Sequence, residues 1–497
     1  MPYRTICKLF ALLLLLARPG AAQQAESRYH EAFRRLHEAG MFNGAVLIAK
    51  DDSIVLDAAF GESDVTTHTP LTDRSLYRAA SVSKTVTALA LLTLVDSGRL
   101  DLDDPVQRYL PRFPYPQTTL RQLLQHSSGL PEYIFGVGDY WSSHTEPMTD
   151  AAVLRWLIDT TPELDFAPGQ GWDYCNTNYA LIPLVIEAVT REPYAVYLRR
   201  AVLEPAGMRN SFHLSELGPR ERARLAAGHG FDYATGQDLR IDRHPVLSAE
   251  FNADSVFGAG DLVSTARDLF ALDQALKAGQ VISLELQATA YTSMVLPEGF
   301  PAGYGLGWQV AESDFTGRII HHHGQGDGYR TRYYRFLDRG ITIITLQNAR
   351  EKYADDAVRV AQLLAFKDSA AMPMPSLAEA LSRTMHADGL EATRAQVAMA
   401  AQAPAAWSLN ERDLNNLALT YWFSGQRDSA LSLFTSYLSL MPDRPSVYAT
   451  LAEALADAGR TEESKARYAE ALAVARRDAR KYARDIARLE KLLADGR

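Results

Sequence analysis

The chain has 497 residues, of which 47% are hydrophobic and 22% are charged, which is the composition of an ordinary globular protein. This length predicts two or more domains. The net charge of −9, without a strongly basic patch, argues against a nucleic-acid-binding protein.

Residues 1–22 have the pattern of a secretory signal peptide. Arg4 and Lys8 precede an apolar run at 9–16, and small residues precede Gln23. Because this run is too short for a permanent membrane anchor, we expect a secreted or periplasmic protein that has no membrane contact after signal removal. Cys7 would leave with the signal, so Cys175 would be alone and no disulfide is expected within the mature chain.

Residues 23–365 predict an α+β domain. A short helix at about 26–39 is followed by a hairpin whose strands, 42–50 and 54–60, flank a polar turn. The middle of the region is mostly helical, and its end predicts four successive strands, at 305–310, 317–321, 329–337 and 341–346. Strands from both ends of the region must therefore meet in one sheet, with helices between them in sequence.

Residues 366–375 predict a linker, and residues 376–497 predict a helical repeat domain. Six positions recur 34 residues later, a period typical of tetratricopeptide repeats: Leu417, Tyr421, Gly425, Ala430, Phe434 and Leu438 return as Leu451, Leu455, Gly459, Ser464, Tyr468 and Leu472. Two units do not easily stand alone, so residues 376–400 are expected to add a helical pair and residues 466–493 a last repeat helix and a charged capping helix. These repeats either bind a partner protein or brace the preceding domain.

Ser81 and Lys84 are the first candidate catalytic residues. Apolar spacing predicts a buried helix that begins near Ser81, and residues at i and i+3 share one face of a helix. The helix N-terminus favours negative charge developing at the serine, and a buried lysine with a lowered pKa can accept its proton. The same spacing also fits a capping serine followed by a surface lysine.

Tyr174 and Asn176 form a second pattern, on a loop after Pro168-Gly169 and before an apolar helix at 179–190. A phenol near a lysine can relay protons, and a carboxamide can bind a substrate carbonyl. The alternative is an ordinary helix N-cap by Asn176, or by Thr177 or Asn178. Cys175, between the two, is expected to point away and to pack as a small apolar group.

The third pattern is His321-His-His-Gly324, at the end of a predicted strand. Small residues there would let a substrate backbone lie against the strand edge. Three adjacent strand residues alternate between the two faces, so the three histidines cannot chelate together. We therefore expect neither a metal nor another cofactor.

In this order the three patterns resemble the motifs of the serine β-lactamase-like family of penicillin-recognising enzymes, in the branch of class C β-lactamases, D-alanyl-D-alanine carboxypeptidases and esterases. The segments at 123–131, 258–268 and 304–308 resemble that branch too, and the likeness covers roughly residues 28–365. The resemblance implies an antiparallel sheet flanked by helices, together with an all-helical domain.

The resemblance also implies roles for individual residues. Ser81 would attack a carbonyl and become acylated, while Lys84 and Tyr174 move the proton. Substrate would be bound by Asn176, His322, Gly324 and Gln325, and the backbone N–H groups of Ser81 and Gln325 would form the oxyanion hole.

His322 departs from the β-lactamases of this branch, which carry a lysine at this position. A histidine is mostly neutral near pH 7, so we expect hydrolysis of a D-alanyl-type peptide or a small ester rather than of a β-lactam. Arg330 or Arg332 would bind a substrate carboxylate instead, or both are surface strand residues. The aromatic stretch at 131–147 either walls the cleft or covers the core. Two other functions stay open: a β-lactamase proper, and a catalytically weak scaffold whose repeats bind a partner protein.

Overall fold

The computed structural model describes residues 21–137, 148–244, 256–326, 328–350, 353–367 and 369–494. Almost all of the predicted signal peptide, and most of the aromatic stretch at 131–147, lie outside these residues. The chain divides into two compact units, the first formed by Met1–His229 and Arg240–Met372 and the second by Gly230–Leu239 and Pro373–Arg497. Among the described residues, none of the helices combines the length and the apolar character that crossing a membrane demands.

The described strands are, in chain order, β1 (Gly44–Lys50), β2 (Ser53–Phe60), β3 (Glu62–Asp64), β4 (Thr69–Pro70), β5 (Tyr77–Arg78), β6 (Phe212–His213), β7 (His229–Asp232), β8 (Gln237–Arg240), β9 (Leu262–Ser264), β10 (Gln309–Ser313), β11 (Gly317–Gly326), β12 (Tyr329–Phe336), β13 (Ile341–Gln347) and β14 (Ala349–Arg350).

The α-helices up to the end of the first unit are α1 (Ala21–Glu38), α2 (Ser83–Asp96), α3 (Leu120–Gln125), α4 (Tyr133–Gly136), α5 (Asp150–Thr160), α6 (Asn176–Thr190), α7 (Tyr194–Leu198), α8 (Pro219–Arg222), α9 (Phe257–Gly260), α10 (Ala266–Lys277), α11 (Leu284–Ala290) and α12 (Ala354–Lys367).

A six-stranded antiparallel sheet forms the centre of the first unit, in the order β10-β11-β12-β13-β1-β2. The predicted hairpin pairs β1 with β2, and β1 also pairs with β13, with Gly44 opposite Gln347. Strands from the two ends of the region therefore meet in one sheet, so the α+β prediction is confirmed. β13 is buried along its whole length and β1 up to its last residue, because the sheet is covered on both faces.

Alternate residues of each strand supply the two cores. On one face Val46 and Ile343 pack with Phe33 of α1 and Val358 of α12. On the other face Leu47, Ile344 and their neighbours pack with helices that include α2, α6 and α10. Ser81 and α2 lie on this second face of the sheet.

A buried ion pair holds α10 against the second face of the sheet. Arg335 Nε donates to Asp273 Oδ1 at 2.6 Å, and both side chains are almost fully buried. The other carboxylate oxygen accepts from the Thr342 hydroxyl and lies 2.9 Å from Lys277 Nζ. These partners hold the pKa of Asp273 below its ordinary value against the opposing effect of burial. Removal of one partner would leave a buried charge uncompensated.

Two strands differ from the sequence prediction by more than two residues. The strand expected at 305–310 begins only at Gln309, because Gly307 has φ of +82°, which interrupts an extended run. β11 is longer than the predicted 317–321 and continues to Gly326. His322 and Gly324 therefore lie within a strand rather than beyond its end.

The second unit contains the repeats, as predicted. Its helices are α13 (Leu377–Gln402), which is interrupted at Gly389, α14 (Glu411–Phe423), α15 (Arg427–Tyr437), α16 (Pro445–Asp457), α17 (Thr461–Arg476) and α18 (Ala483–Ala494). α14 and α15 recur as α16 and α17 after 34 residues, and Gly425 and Gly459 end the first helix of each pair with φ of +85° and +77°. The tyrosine and leucine positions of the period pack in the interior.

The second unit also contains a piece of chain that the sequence places far from the repeats. Residues 230–239, which make up most of the β7–β8 hairpin, belong to this unit and pack against α13. The Ser382 hydroxyl donates to the Tyr233 carbonyl at 2.9 Å, and Arg383 lies over the Phe231 ring at 5.2 Å. Gly236 has φ of +68°, and a Cβ there would be 2.9 Å from Arg383 Cα. The predicted boundaries omit this segment, because its few residues carry none of the 34-residue period.

Candidate active site

Ser81 lies on a single 3₁₀ turn, Ala80–Val82, that leads directly into α2. The predicted helix is therefore present, but Ser81 precedes its first α-helical residue. Ala80 has φ of +46°, a left-handed conformation that costs a non-glycine residue about 1–2 kcal/mol. This tight turn leaves Ser81 partly exposed at the end of a buried helix.

Lys84 is completely buried one turn further on, so the surface-lysine alternative is wrong. Its Nζ lies 3.1 Å from Ser81 Oγ and 2.8 Å from the Ala259 carbonyl oxygen. Burial lowers the pKa of Lys84 to about 7, although the nearby Glu132 carboxylate and Cys175 oppose this shift. A large fraction of the amine is therefore neutral near pH 7 and able to accept the serine proton.

The Ala259 carbonyl belongs to a segment that α2 holds in place through two further side chains. Thr87 Oγ1 donates to the Gly258 carbonyl at 2.9 Å, and Ser83 Oγ accepts the Leu262 N–H at 2.9 Å. In the sequence, residues 258–268 show only a resemblance to the family. In the structure, this segment supplies the carbonyl acceptor that orients Lys84.

Tyr174 closes the other side of Lys84, with its ring centroid 5.1 Å from Nζ. Burial raises its pKa above the ordinary value, while a hydrogen bond with the Ser81 side chain lowers it in part. The phenol therefore stays protonated at neutral pH. Lys84 is thus the better proton acceptor of the pair, and Tyr174 is placed to relay a proton.

The loop with Tyr174 and the start of α6 are held by residues 126–133, which we call the clamp segment. Each residue from 175 to 178 is hydrogen-bonded to it: Cys175 N–H to His126 Nδ1 (3.1 Å), Asn176 N–H to Glu132 Oε2 (2.7 Å), the Thr177 hydroxyl to the Pro131 carbonyl (2.7 Å), and the Ser128 hydroxyl to Asn178 Oδ1 (2.5 Å). The clamp segment therefore sets where Tyr174 and Asn176 lie.

Asn176 does not cap α6, so the N-cap alternative for this residue is wrong. The N-cap is Cys175, whose side chain makes no capping hydrogen bond. Asn176 Nδ2 instead donates to Glu132 Oε2 at 2.9 Å, which fixes the orientation of its amide. Sequence reasoning missed Glu132, because its partner is 44 residues away in the chain.

Cys175 is buried as predicted, and its Sγ donates to the Leu130 carbonyl at 3.2 Å. Burial raises the pKa of the thiol to about 12. The thiol therefore remains protonated at neutral pH and is a poor nucleophile.

His322 is buried, and both of its ring nitrogens are engaged within the protein. Tyr304 Oη lies 2.9 Å from Nε2, and Nδ1 lies 2.8 Å from the His323 carbonyl oxygen. Because a carbonyl only accepts, Nδ1 carries the proton and Nε2 accepts the Tyr304 hydroxyl. Burial, and then the charge of Lys84, lower the pKa of His322 well below its ordinary value. His322 is thus a neutral residue at the back of the site, held by Tyr304.

Gly324 is required for a reason other than the open strand edge inferred from the sequence. A Cβ at this position would lie 2.2 Å from the Ala79 carbonyl oxygen, two residues before Ser81. The absent side chain thus lets β11 pack directly against the nucleophile turn. Gln325 follows on the same strand, opposite Arg330, and its share in an oxyanion hole stays a prediction.

The other side of β11 carries His321 and His323, whose rings contact Tyr334. Arg332 lies on this side too, and its Nε donates to Asp355 of α12 at 2.6 Å. Arg330, two residues before it on the strand, lies on the same face, and its charge helps to lower the pKa of Asp355. The expectation that either arginine binds a substrate carboxylate beside Ser81 is therefore wrong, and both are buried rather than exposed.

No group of three metal-ligating side chains occurs within the described part of the chain. Of the aromatic stretch at 131–147, the described residues differ from each other: Tyr133 is in the core, whereas Phe135 is 86% exposed. The described part of the stretch, residues 131–137, therefore both covers the core and reaches the surface.

Comparisons with known proteins agree with this geometry. The model of the β-lactamase family matches residues 30–368, and a tetratricopeptide repeat model matches residues 424–489. Penicillin-binding protein 4* of Bacillus subtilis is 32% identical over 347 residues, which are 69% of this chain and 77% of that protein. The D-aminopeptidase of Brucella anthropi is 26% identical over 61% of this chain and 56% of its own length.

Solved structures show the same fold. A penicillin-binding protein from Bacillus halodurans superposes with a TM-score of 0.58 at 22% identity, covering 68% of this chain and 98% of its own. The D-amino acid amidase of Ochrobactrum anthropi SV3 does so with a TM-score of 0.56 at 23% identity, covering 69% and 100%. From the family match and the assembled Ser81, Lys84 and Tyr174, we conclude that this chain belongs to the β-lactamase family of serine acyl-enzyme hydrolases and carries a C-terminal tetratricopeptide repeat region.

Proposed function

We propose that this protein is a secreted serine hydrolase that cleaves amides or small esters. Its preferred class is D-amino-acid amides and D-alanyl-type peptides that have a free amino group and no carboxylate next to the scissile bond, and β-lactams are poor substrates. The observation that carries the proposal is His322. A substrate carboxylate, as in a β-lactam, needs a cation or free donors, and His322 is neutral with both nitrogens engaged inside the protein.

Glu132 supports the same choice of substrate. Its carboxylate holds Asn176 at the edge of the site, and among the described residues no lysine or arginine forms an ion pair with it. A carboxylate in this position repels an anionic substrate and attracts an ammonium group. The names of two similar proteins, a D-aminopeptidase and a D-amino acid amidase, point in the same direction.

The chemistry follows from the distances in the site. Lys84 accepts the Ser81 proton over 3.1 Å, the serine oxygen attacks the carbonyl carbon, and the acyl-enzyme forms as the leaving amine or alcohol departs with a proton relayed through Tyr174. Water then attacks the acyl-enzyme by the same route in reverse. A scaffold without catalysis would gain nothing from a buried lysine with a pKa of about 7 beside a serine.

A substrate panel tests the proposal. D-alanine p-nitroanilide, its N-acetylated form, p-nitrophenyl butyrate and nitrocefin would each be incubated with the wild type and with Ser81→Ala. We expect turnover of the free-amine anilide and of the ester, little of the acetylated anilide and of nitrocefin, and none by Ser81→Ala. Efficient nitrocefin hydrolysis, or equal rates with Ser81→Ala, would contradict the proposal.

A further inference from the structure

His126 is a fully enclosed titratable residue in contact with Tyr174, and the proposed mechanism gives it no role. It has no exposed surface and follows the last residue of α3, where φ is +59°. Only glycine, asparagine, aspartate and, less often, histidine adopt this left-handed conformation readily. His126 thus combines an uncommon backbone conformation with a polar ring that is buried in the interior.

The hydrogen bonds of His126 fix its tautomer. Nδ1 accepts the Cys175 N–H at 3.1 Å, with Asn178 Nδ2 at 3.3 Å from the same nitrogen. A nitrogen that accepts cannot carry the proton, so the proton of the neutral ring is on Nε2. That N–H has no hydrogen-bond partner among the described residues. Burial, and then the charge of Lys84, lower the pKa of His126 well below its ordinary value, which keeps Nδ1 free to accept.

The ring also faces the phenol that serves Ser81. The His126 and Tyr174 ring centroids are 4.4 Å apart with an interplanar angle of 37°, and Tyr304 packs on His126 at 4.7 Å. His126 therefore contacts Tyr174 in two ways, through the backbone of the next residue and through the ring face. Tyr174 in turn hydrogen-bonds Ser81.

We infer that His126 is a positioning residue for acylation: its Nδ1, by accepting the Cys175 N–H, holds the Tyr174 hydroxyl at Ser81. His126 itself does not touch the reacting atoms, so its effect passes through Tyr174. The inference rests on the proposed acyl-enzyme chemistry. It predicts that the position of one acceptor atom, rather than the imidazole as such, is what the reaction needs.

Two amide variants separate these possibilities. In His126→Asn the Oδ1 takes the place of Nδ1, and asparagine also accepts a positive φ. In His126→Gln the acceptor lies one bond further out, near the place of Nε2. Both variants lose the ring, so they differ chiefly in the position of the acceptor. His126→Gly, which has no side chain and no strain at φ of +59°, serves as a third variant should glutamine not fold.

The measurement is the rate at which a fluorophosphonate probe labels Ser81, with thermal unfolding and circular dichroism as folding controls. We expect His126→Asn to keep the wild-type rate within about fivefold, and His126→Gln and His126→Gly to lose on the order of 10²-fold, since a 1 Å displacement in an active site has this effect. Equal rates in all three variants, or equal losses, would overturn the inference.

A double-mutant cycle with Tyr174→Phe tests the route through Tyr174. If His126 acts on Ser81 by placing the hydroxyl, His126→Gln slows labelling no further once that hydroxyl is gone. An undiminished loss in the Tyr174→Phe background would overturn the inference. A wild type that is not labelled at all would instead contradict the proposed function, so the two failures are distinguishable.

Discussion

Replacing Lys84 by methionine should abolish catalysis. The same change should stabilise the folded chain at low pH and destabilise it at high pH. Lys84 is completely buried, and its pKa is about 7 in the folded chain against an ordinary 10.5. The difference corresponds to about 5 kcal/mol of folding free energy. The unfolded chain binds the extra proton between pH 7 and 10.5, so the stability of the wild type rises with pH across this window. The penalty is complete below about pH 7 and absent above 10.5.

Methionine has a similar length and escapes this penalty, but it leaves the Ala259 carbonyl and the Ser81 hydroxyl without the amine. Loss of these bonds costs about 1–3 kcal/mol at every pH. Lys84→Met should therefore be more stable than the wild type by about 2–4 kcal/mol at pH 6, and less stable by about 1–3 kcal/mol at pH 10.5.

Urea unfolding of both proteins at pH 6, 8 and 10.5 measures this difference, since titrating groups that do not interact with Lys84 contribute equally to both. Lys84→Arg is the matched control, because its guanidinium stays charged throughout the range and should be unfavourable at every pH. A stability difference between Lys84→Met and the wild type that does not change with pH would refute the reasoning, since the folded lysine would then have its ordinary pKa.

Three further outcomes are expected. Gly324→Ala should lower the rate of Ser81 labelling by about 10²-fold, because its Cβ would force β11 away from the nucleophile turn. Gly326→Ala is the control: its Cβ would have no neighbour nearer than 3.9 Å, so the rate should be unchanged. Glu132→Gln should shift the midpoint of the rising limb of the pH–rate profile to a lower pH than in the wild type, where it lies near pH 7, because the Glu132 carboxylate helps to keep Lys84 protonated. A shift to higher pH would contradict this. Asp273→Asn should destabilise the first unit by about 3–5 kcal/mol in calorimetry, since it leaves a buried guanidinium without its counter-charge; an unchanged transition would contradict the importance of the pair.

The sequence predicted those features that depend on local spacing. Ser81 and Lys84 are one helical turn apart, the β1–β2 hairpin follows from its turn, and the 34-residue period marks the helix pairs of the repeats. In each case a short stretch of chain contains the whole pattern.

Features that depend on packing between distant segments were not accessible in this way. Glu132 and His126 act on residues 44 and 49 positions away, and Tyr304 donates to His322 across the irregular turn before β10. Gly324 was recognised, but its reason is the close approach of a carbonyl from another segment. The two arginines of β12 lie on the same face as His323, because the register of β12 against β11, which the sequence does not specify, places them there.

The segment at 230–239 has a consequence for how the repeat region can be gained or lost. The chain passes between the two units three times, at His229–Gly230, at Leu239–Arg240 and at Met372–Pro373. A cut in the linker alone would yield two fragments with no covalent bond between them, but residues 230–239 of the first fragment could still pack against the helices of the second. A shortened gene that ends before residue 373 would still encode the hairpin, with Tyr233 deprived of the helices it packs on. Removal of the repeats would therefore also uncover a segment of the hydrolase sequence, residues 230–239.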